Sequence, residues 1–356
     1  MIPARYMQRC LDLAQLAKTT AAPNPMVGAV LVYQNRIIGE GWHKAAGQPH
    51  AEVNCFHSVR EEDRHLIPES TLFVNLEPCA HIGRTPACAP RIVREGVKQV
   101  YIAHHDPHRM VGGAGLQILK DNNVKVFTGL MEQEARWLNR RFLCHVEQKR
   151  PYIILKWAQT LTGLFAPLNR TRFQISNQHS HLLLHKWRAE ESAIMIGYGT
   201  ALSDDPQLTA RRWEGPQPLR VVLDQRLHLP DHLRVFQSDA PTWIVNETKE
   251  DQKGHLRWVR LPFNERLLPG LLERLHEKGH ISLIVEGGAQ LLQSFINLRL
   301  FDEIRMFQAD AALSEGIPAP HFDQAHLIAE TELGNDRLMV FTNALTLWPY
   351  ADGMSI

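Results

Sequence analysis

The sequence predicts an α/β protein of two domains, and three observations carry that prediction. Short β-rich runs alternate with stretches of helical periodicity along most of the chain. A charged segment ending in proline interrupts that alternation before its middle. At 356 residues, the chain also exceeds the roughly 250–300 at which a single core stops growing.

The elements follow in order. Residues 6–18 space their apolar side chains as an amphipathic helix does, and residues 26–33 and Arg36–Trp42 read as two strands meeting at Gln34-Asn35, a hairpin turn. Residues 50–59 return to helical period, Thr71–Leu76 is β-rich, and 86–95 reads as a helix closed by Gly96. A strand at 98–103, a helix at 115–121, a strand at 124–129 and one long helix over 132–147 complete the first domain. The segment Glu147-Gln148-Lys149-Arg150-Pro151 marks the boundary, so the domains are expected at 1–147 and 151–356. Beyond it, strands at 152–157, 192–196, Leu219–Leu223, 242–245, 282–285 and 302–307 alternate with helices at 177–190, 268–278 and 289–298. Residues 205–218, rich in proline and arginine, read as a long loop of the kind that often carries function.

Composition narrows the classes of partner. Hydrophobic residues make up 44% and charged ones 22%, as in an ordinary globular protein with a buried core. Lys and Arg total 39 against 38 Asp and Glu, and a net charge of +1 gives no field that would recruit nucleic acid or an anionic membrane. A small-molecule partner is expected instead, with no nucleic acid and no membrane. Clean apolar runs such as 26–32 fall far short of the roughly 20 residues of a membrane helix, and the N-terminus carries no signal-like apolar stretch. A cytoplasmic protein is expected, assembled as a homo-oligomer. Five cysteines without dense regular spacing argue against a disulfide framework and leave metal ligation or burial.

The sharpest chemical signal is His50-Ala51-Glu52 followed by Pro78-Cys79 and Cys88. One imidazole and two thiolates fill three corners of a tetrahedral Zn²⁺ site and leave the fourth for water, whose pKa falls toward about 7 on zinc. Glu52, a carboxylate outside the ligand set, is placed to move protons. Both halves begin helices, whose N-termini favour thiolate over thiol. The plainer reading makes Cys79 and Cys88 buried hydrophobes; it is the better one for a lone cysteine and the poorer one for this combination.

Zinc nucleobase deaminases carry His-x-Glu followed by Pro-Cys-x-x-Cys. Here eight residues separate the cysteines, and that spacing, together with Ala22-Pro-Asn-Pro-Met-Val-Gly28, resembles the bifunctional riboflavin-biosynthesis deaminase/reductase family over nearly the whole chain. The resemblance implies a three-layer αβα cytidine-deaminase-like domain in front and a dihydrofolate-reductase-like α/β domain behind. It implies deamination of 2,5-diamino-6-(5-phosphoribosylamino)pyrimidin-4-one, with His50, Cys79 and Cys88 holding zinc and Glu52 as general acid/base. Asn24, whose amide both donates and accepts, would orient this substrate, with His43 in a loop within reach. His81 and Arg84, between the cysteines, suit a phosphate ester.

In the second half, the segment from Gly199 to Arg211 and the turn Val285-Glu-Gly-Gly288 follow strands, and glycines before a helix let backbone approach a phosphate. Singly these signals are weak, since such turns are more often structural. By resemblance, Lys156, Arg188, Leu208, Arg211 and Glu286 would line a phosphoribosyl pocket. Ala158, Thr200, Asp204, Gly287 and Gly288 would meet NADPH, whose hydride reduces the ring-opened ribose to a ribityl chain.

This half also departs from the family's pattern. An acid and a base usually flank the glycine that follows the first strand, whereas Leu161-Thr162-Gly163-Leu164 has neither, and Gln174-Ile175-Ser176 stands where a tryptophan is expected. The milder departure in the first domain is Asp106-Pro107-His108-Arg109. The leading expectation is a two-step deaminase and reductase. The alternative keeps the deaminase and makes the second domain a non-catalytic binding or assembly module. A nucleic-acid-editing deaminase would need a basic, aromatic groove, against which the near-neutral charge argues.

Overall fold

The structure is a computed structural model and describes residues 2–80, 86–107, 112–169, 173–237 and 240–354. The chain divides into two compact units, Met1–Gln148 with Trp348–Ile356, and Lys149–Leu347. The reading from sequence runs the second domain to 356; its last segment instead packs with the first unit, where Trp348 is buried, the Tyr350 ring meets Trp137 edge-on at 5.1 Å and Gln133 Nε2 donates to the Tyr350 carbonyl at 2.8 Å.

The first unit opens with helix α1 (Ile2–Gln15) and the hairpin β1 (Gly28–Tyr33) and β2 (Arg36–Trp42). Gln34 and Asn35 both take positive φ, 44° and 67°, as a two-residue hairpin turn requires. Next come α2 (Ala51–Ser58), a 3₁₀ segment Glu61–Glu69 that periodicity does not reveal, β3 (Thr71–Leu76), α3 (Cys88–Arg94) and β4 (Gln99–His104). The unit continues through α4 (Ala114–Asp121), β5 (Lys125–Thr128), α5 (Glu132–Leu138) and α6 (Arg140–Glu147). The single helix expected over 132–147 is therefore two, broken at Asn139, whose backbone leaves the helical region at φ −94°, ψ 15°.

The sheet order is β2-β1-β3-β4-β5, antiparallel through β2/β1/β3 and parallel through β3/β4/β5. Alternate residues Ala29, Leu31, Leu72, Val74, Val100 and Ile102 bury against α2, α3 and α4, while α1 and α5 pack on the opposite face. The result is three layers. Two glycines set the layer spacing that the site depends on. A Cβ at Gly41 would stand 2.3 Å from Cys55 N, and one at Gly115 only 1.9 Å from the Pro78 carbonyl oxygen. Small residues here let α2 close onto β2 and α4 close onto the segment leading to Cys79.

The second unit carries β6 (Tyr152–Thr160), β7 (Leu164–Ala166), α7 (Gln178–Glu190), β8 (Ala193–Ile196), α8 (Tyr198–Asp204), β9 (Leu219–Leu223), α9 (Arg234–Gln237) and β10 (Thr242–Asn246). It ends with β11 (Asp251–Lys253), β12 (Leu256–Arg260), α10 (Leu267–Glu277), β13 (Ser282–Gly287), α11 (Ala289–Asn297), β14 (Glu303–Ala309), β15 (Ile317–Pro318), β16 (Ala325–Leu333) and β17 (Asp336–Asn343). Ten strands form one sheet in the order β11-β12-β10-β9-β8-β13-β6-β14-β17-β16, parallel from β12 to β14 and antiparallel at both ends. The run of near-continuous apolar strands at its centre is what a parallel sheet covered on both faces needs. Asn177, read from sequence as the first residue of the helix, is instead the N-cap of α7, its Oδ1 accepting from His179 N at 2.9 Å and Ser180 N at 3.1 Å.

Candidate functional site

In the first unit the chain brings His50 to the N-cap of α2 and Cys88 to the first position of α3, and places Cys79 in the loop leaving β3. Their donor atoms converge. Cys79 Sγ lies 3.5 Å and Cys88 Sγ 3.3 Å from His50 Nδ1, and all three lie within 4.8 Å of one another. A tetrahedral ion with a nitrogen at about 2.0 Å and a sulfur at about 2.3 Å holds those atoms about 3.5 Å apart, so the spacing fits zinc without rearrangement. The electrostatics fit it too. Cys79 is drawn well below the ordinary thiol range, first by the Cys88 thiol that donates to it and then by His50, while the same contact pushes Cys88 up. A divalent cation between the two sulfurs would let both ionise. The first amide of α3, Cys88 N, also donates to Cys79 Sγ at 3.3 Å.

Glu52 follows one residue into α2 and is 3% exposed. Burial, then the nearby Cys79, raises its carboxyl above the ordinary range, which suits a group that must both hold and release a proton. Asn24 and His43 are brought together: Asn24 Nδ2 and His43 Nε2 stand 3.0 Å apart. His43 Nδ1 sits 3.2 Å from the Pro49 carbonyl, which can only accept, so this ring nitrogen carries the hydrogen and Nε2 receives the Asn24 amide. Desolvation lowers the His43 pKa and keeps the ring neutral. The His43 ring in turn meets His50 edge-on at 5.5 Å. His81 and Arg84 lie outside the described residues.

The second unit contains a cavity of about 1260 Å³ at the carboxyl ends of the parallel strands β6, β8, β9 and β13, the place where open α/β sheets bind ligands. It is wider than an ordinary small-molecule pocket and has room for a dinucleotide beside a second ligand. Lys156, Arg188, Leu208, Arg211 and Glu286 line it, as do Ala158, Thr200, Asp204 and Gly288. Gly287 stands behind the wall, where a Cβ would meet Thr200 Cγ2 at 2.8 Å. It allows Thr200 to pack and is not itself lining. Arg188 grips Glu286 in a two-pronged pair, Nε to Oε1 at 3.0 Å and Nη2 to Oε2 at 2.7 Å. Burial raises the Glu286 carboxyl, but Arg188 and then Lys156 overcome it and hold the group below its ordinary value. Burial lowers Lys156 in turn.

Among the cavity residues that the sequence reading does not assign to a site are two histidines. His181 and His185 lie on the face of α7 that carries Arg188, at the spacing i, i+4, i+7 that helical period makes visible once Arg188 is chosen. Burial, followed by Arg188 and Arg211, holds His185 down to about 4, and the ring atoms His181 Nε2 and His185 Nδ1 have no hydrogen-bond partner among the described residues. The departures from the family's pattern sort into two kinds. Gln174 lines the cavity, whereas Thr162 and Leu164 belong to the β6/β7 turn, where Thr160 Oγ1 contacts Thr162 Oγ1 at 2.9 Å and accepts from Leu164 N at 3.0 Å.

Comparison with known proteins bears on both units. The family model described as "Cytidine and deoxycytidylate deaminase zinc-binding region" matches residues 2–104, and the "RibD C-terminal domain" matches residues 151–338. The riboflavin biosynthesis protein RibD of Aquifex aeolicus is 38% identical over 324 residues, covering 89% of each chain. This chain belongs to the RibD family. The RibD structure from Acinetobacter baumannii superposes with a TM-score of 0.87 at 30% identity over 96% of this chain and 99% of that one. The deaminase/reductase of Thermotoga maritima does so at 0.88 and 31%, with the same coverage. As a RibD protein the chain is a bifunctional deaminase/reductase of riboflavin biosynthesis with both domains present, and zinc and NADPH are its cofactors. The expected α/β class, deaminase-like in front and reductase-like behind, is the one it has. No described helix is long and apolar enough to cross a membrane.

Proposed function

We propose that the first unit hydrolyses the 2-amino group from 2,5-diamino-6-(5-phosphoribosylamino)pyrimidin-4-one, and that the second then reduces the ribosyl chain of the product to ribityl. The carrying observation is the spacing of His50, Cys79 and Cys88 at tetrahedral ligand distances beside the buried carboxyl of Glu52.

These three side chains would hold zinc, which would supply the Lewis acidity that brings the pKa of water toward about 7. Glu52 accepts one proton of the attacking water and delivers it to the ring nitrogen, then takes the second from the added hydroxyl and delivers it to the departing amine, so that water enters and ammonia leaves. Asn24, its amide turned by His43, presents its carbonyl oxygen to the pyrimidine. His81 and Arg84 would serve the phosphate ester. In the cavity, Lys156, Arg211 and Leu208 bound the phosphoribosyl group, while Arg188 acts by fixing Glu286. Ala158, Thr200, Asp204 and Gly288, the residue that precedes α11, would receive the dinucleotide, with Gly287 behind them making room for Thr200; the dinucleotide would supply hydride for the ring-opened carbon.

Five free thiols suit the reducing cytoplasm, where we place the enzyme; light scattering in solution tests the homo-oligomer expected of it. The deciding experiment gives zinc-loaded protein first the diamino substrate, following ammonia, and then the deaminated intermediate, following NADPH absorbance. Release of ammonia and oxidation of NADPH support the two-step reading. Ammonia without oxidation would reduce the second unit to a binding module.

A further inference from the structure

Two buried asparagines that no motif singles out converge on the backbone behind Asn24. Asn139, 2% exposed, grips Met26 at two points: its Oδ1 accepts from Met26 N at 2.8 Å and its Nδ2 donates to Met26 O at 3.0 Å. Asn75, fully buried on β3, donates from Nδ2 to the same Met26 oxygen at 3.0 Å and accepts from Gly28 N at 2.8 Å. Four hydrogen bonds from two separate elements thus hold the stretch that enters β1, two residues after Asn24.

The grip comes at a structural cost that marks it as more than packing. Residues 132–147 have the pattern of one helix, yet the chain interrupts that helix at Asn139, whose side-chain amide then faces Met26 instead of solvent. An amide side chain is the group that can pair with both the N–H and the C=O of one residue, as a neighbouring strand would. Downstream, Val27 O accepts from His43 N at 2.9 Å, and His43 Nε2 meets Asn24 Nδ2. The loop bearing Asn24 is therefore held from behind by Asn139 and Asn75 and from the side by His43.

We propose that Asn139 and Asn75 are positioning residues of the deaminase site, which act through the backbone of Met26 to set where Asn24 meets the pyrimidine. This rests on the reading of Asn24 as a substrate-orienting residue. An ångström of misplacement costs up to about 100-fold in rate, so Asn139→Ala lowers kcat/KM for ammonia release by about 10- to 100-fold. Its zinc content and its NADPH oxidation with the deaminated intermediate stay at wild-type level.

The test is a mutant cycle of Asn24→Ala, Asn139→Ala and the double variant, assayed for ammonia release. A residue that acts only by placing Asn24 has nothing left to place once Asn24 is gone, so the double variant should match Asn24→Ala alone. If the two losses multiply, or if Asn139→Ala behaves as wild type, the positioning role is overturned while Asn24 stands. If Asn24→Ala itself keeps full activity, the reading of Asn24 fails and takes the proposal with it. Should Asn139→Ala not fold, Asn75→Ser in place of it completes the same cycle with the same two outcomes.

Discussion

The metal centre and the reductase cavity are built by opposite strategies. The first gathers His50, Glu52, Cys79 and Cys88 from two short stretches, each a loop running into a helix, and the atoms of His50, Cys79 and Cys88 already stand at ligand distances. The second collects Lys156, Arg188, Leu208 and Glu286 from β6, α7, the loop after α8 and β13, over some 130 residues of chain. A site made of contiguous motif announces itself in sequence, because the spacing is the chemistry. A site made where parallel strands end depends on strand order, which no local pattern encodes.

That contrast breaks or sharpens at defined points. The largest expected effect is at the proposed metal site: Cys88→Ser removes one of its three proposed donors, so zinc measured by elemental analysis should fall and deamination drop to background while NADPH oxidation with the deaminated intermediate persists. Full zinc occupancy in that variant would remove Cys88 from the ligand set. Glu52→Gln leaves the proposed donors intact and takes away the proposed proton carrier, and deamination should fall by about 10²- to 10⁴-fold with zinc content unchanged. Activity near wild type would mean that another group moves the protons.

In the cavity, Glu286→Gln leaves Arg188 and Lys156 without their buried counter-charge. We expect about 3 kcal/mol less stability for the second unit in denaturant titration, together with lost reductase activity. The effect has a pH signature. The folded carboxyl of Glu286 binds its proton less tightly than the unfolded one, so its contribution is complete above the unfolded value of about 4.3 and disappears as pH falls through the lower folded value. The stability gap between wild type and Glu286→Gln should hold steady above about pH 5 and close below it; a gap that persists in acid would show that packing, not charge, is lost.

The smallest effect is expected where the family's charge pair is missing. Thr162 is exposed at a turn and, with Leu164, outside the cavity wall. Restoring the pair as Thr162→Asp with Leu164→Lys should change reductase kcat/KM by less than about 1 kcal/mol, the scale of a surface ion pair. A larger gain would place this turn in contact with a ligand.

Much of the frame was legible because side-chain period and turn chemistry are local. The hairpin at Gln34-Asn35, the helix read at 177–190 and the strands at Leu219–Leu223, 242–245 and 282–285 follow from them. What stayed hidden was tertiary in origin. The helix break at Asn139 answers to the Met26 backbone more than a hundred residues earlier, and nothing within 132–147 records it. Helix α8, read as a strand-end loop, is short and carries no strong apolar face, with only Ala201 buried. The β16/β17 hairpin around Gly334 was missed because its outer strand buries none of its side chains fully, so the alternation that reveals a half-covered strand is faint there.

The return of Trp348–Ile356 to the first unit makes the gene's two activities hard to part with one cut. A fragment stopping at Gln148 would leave the Trp137 ring and the Gln133 amide without Tyr350, while the complementary fragment would carry a buried tryptophan away from its socket. Separating the catalysts cleanly would require grafting that tail onto the shorter piece, so the thread, in effect, is sewn back through its own beginning.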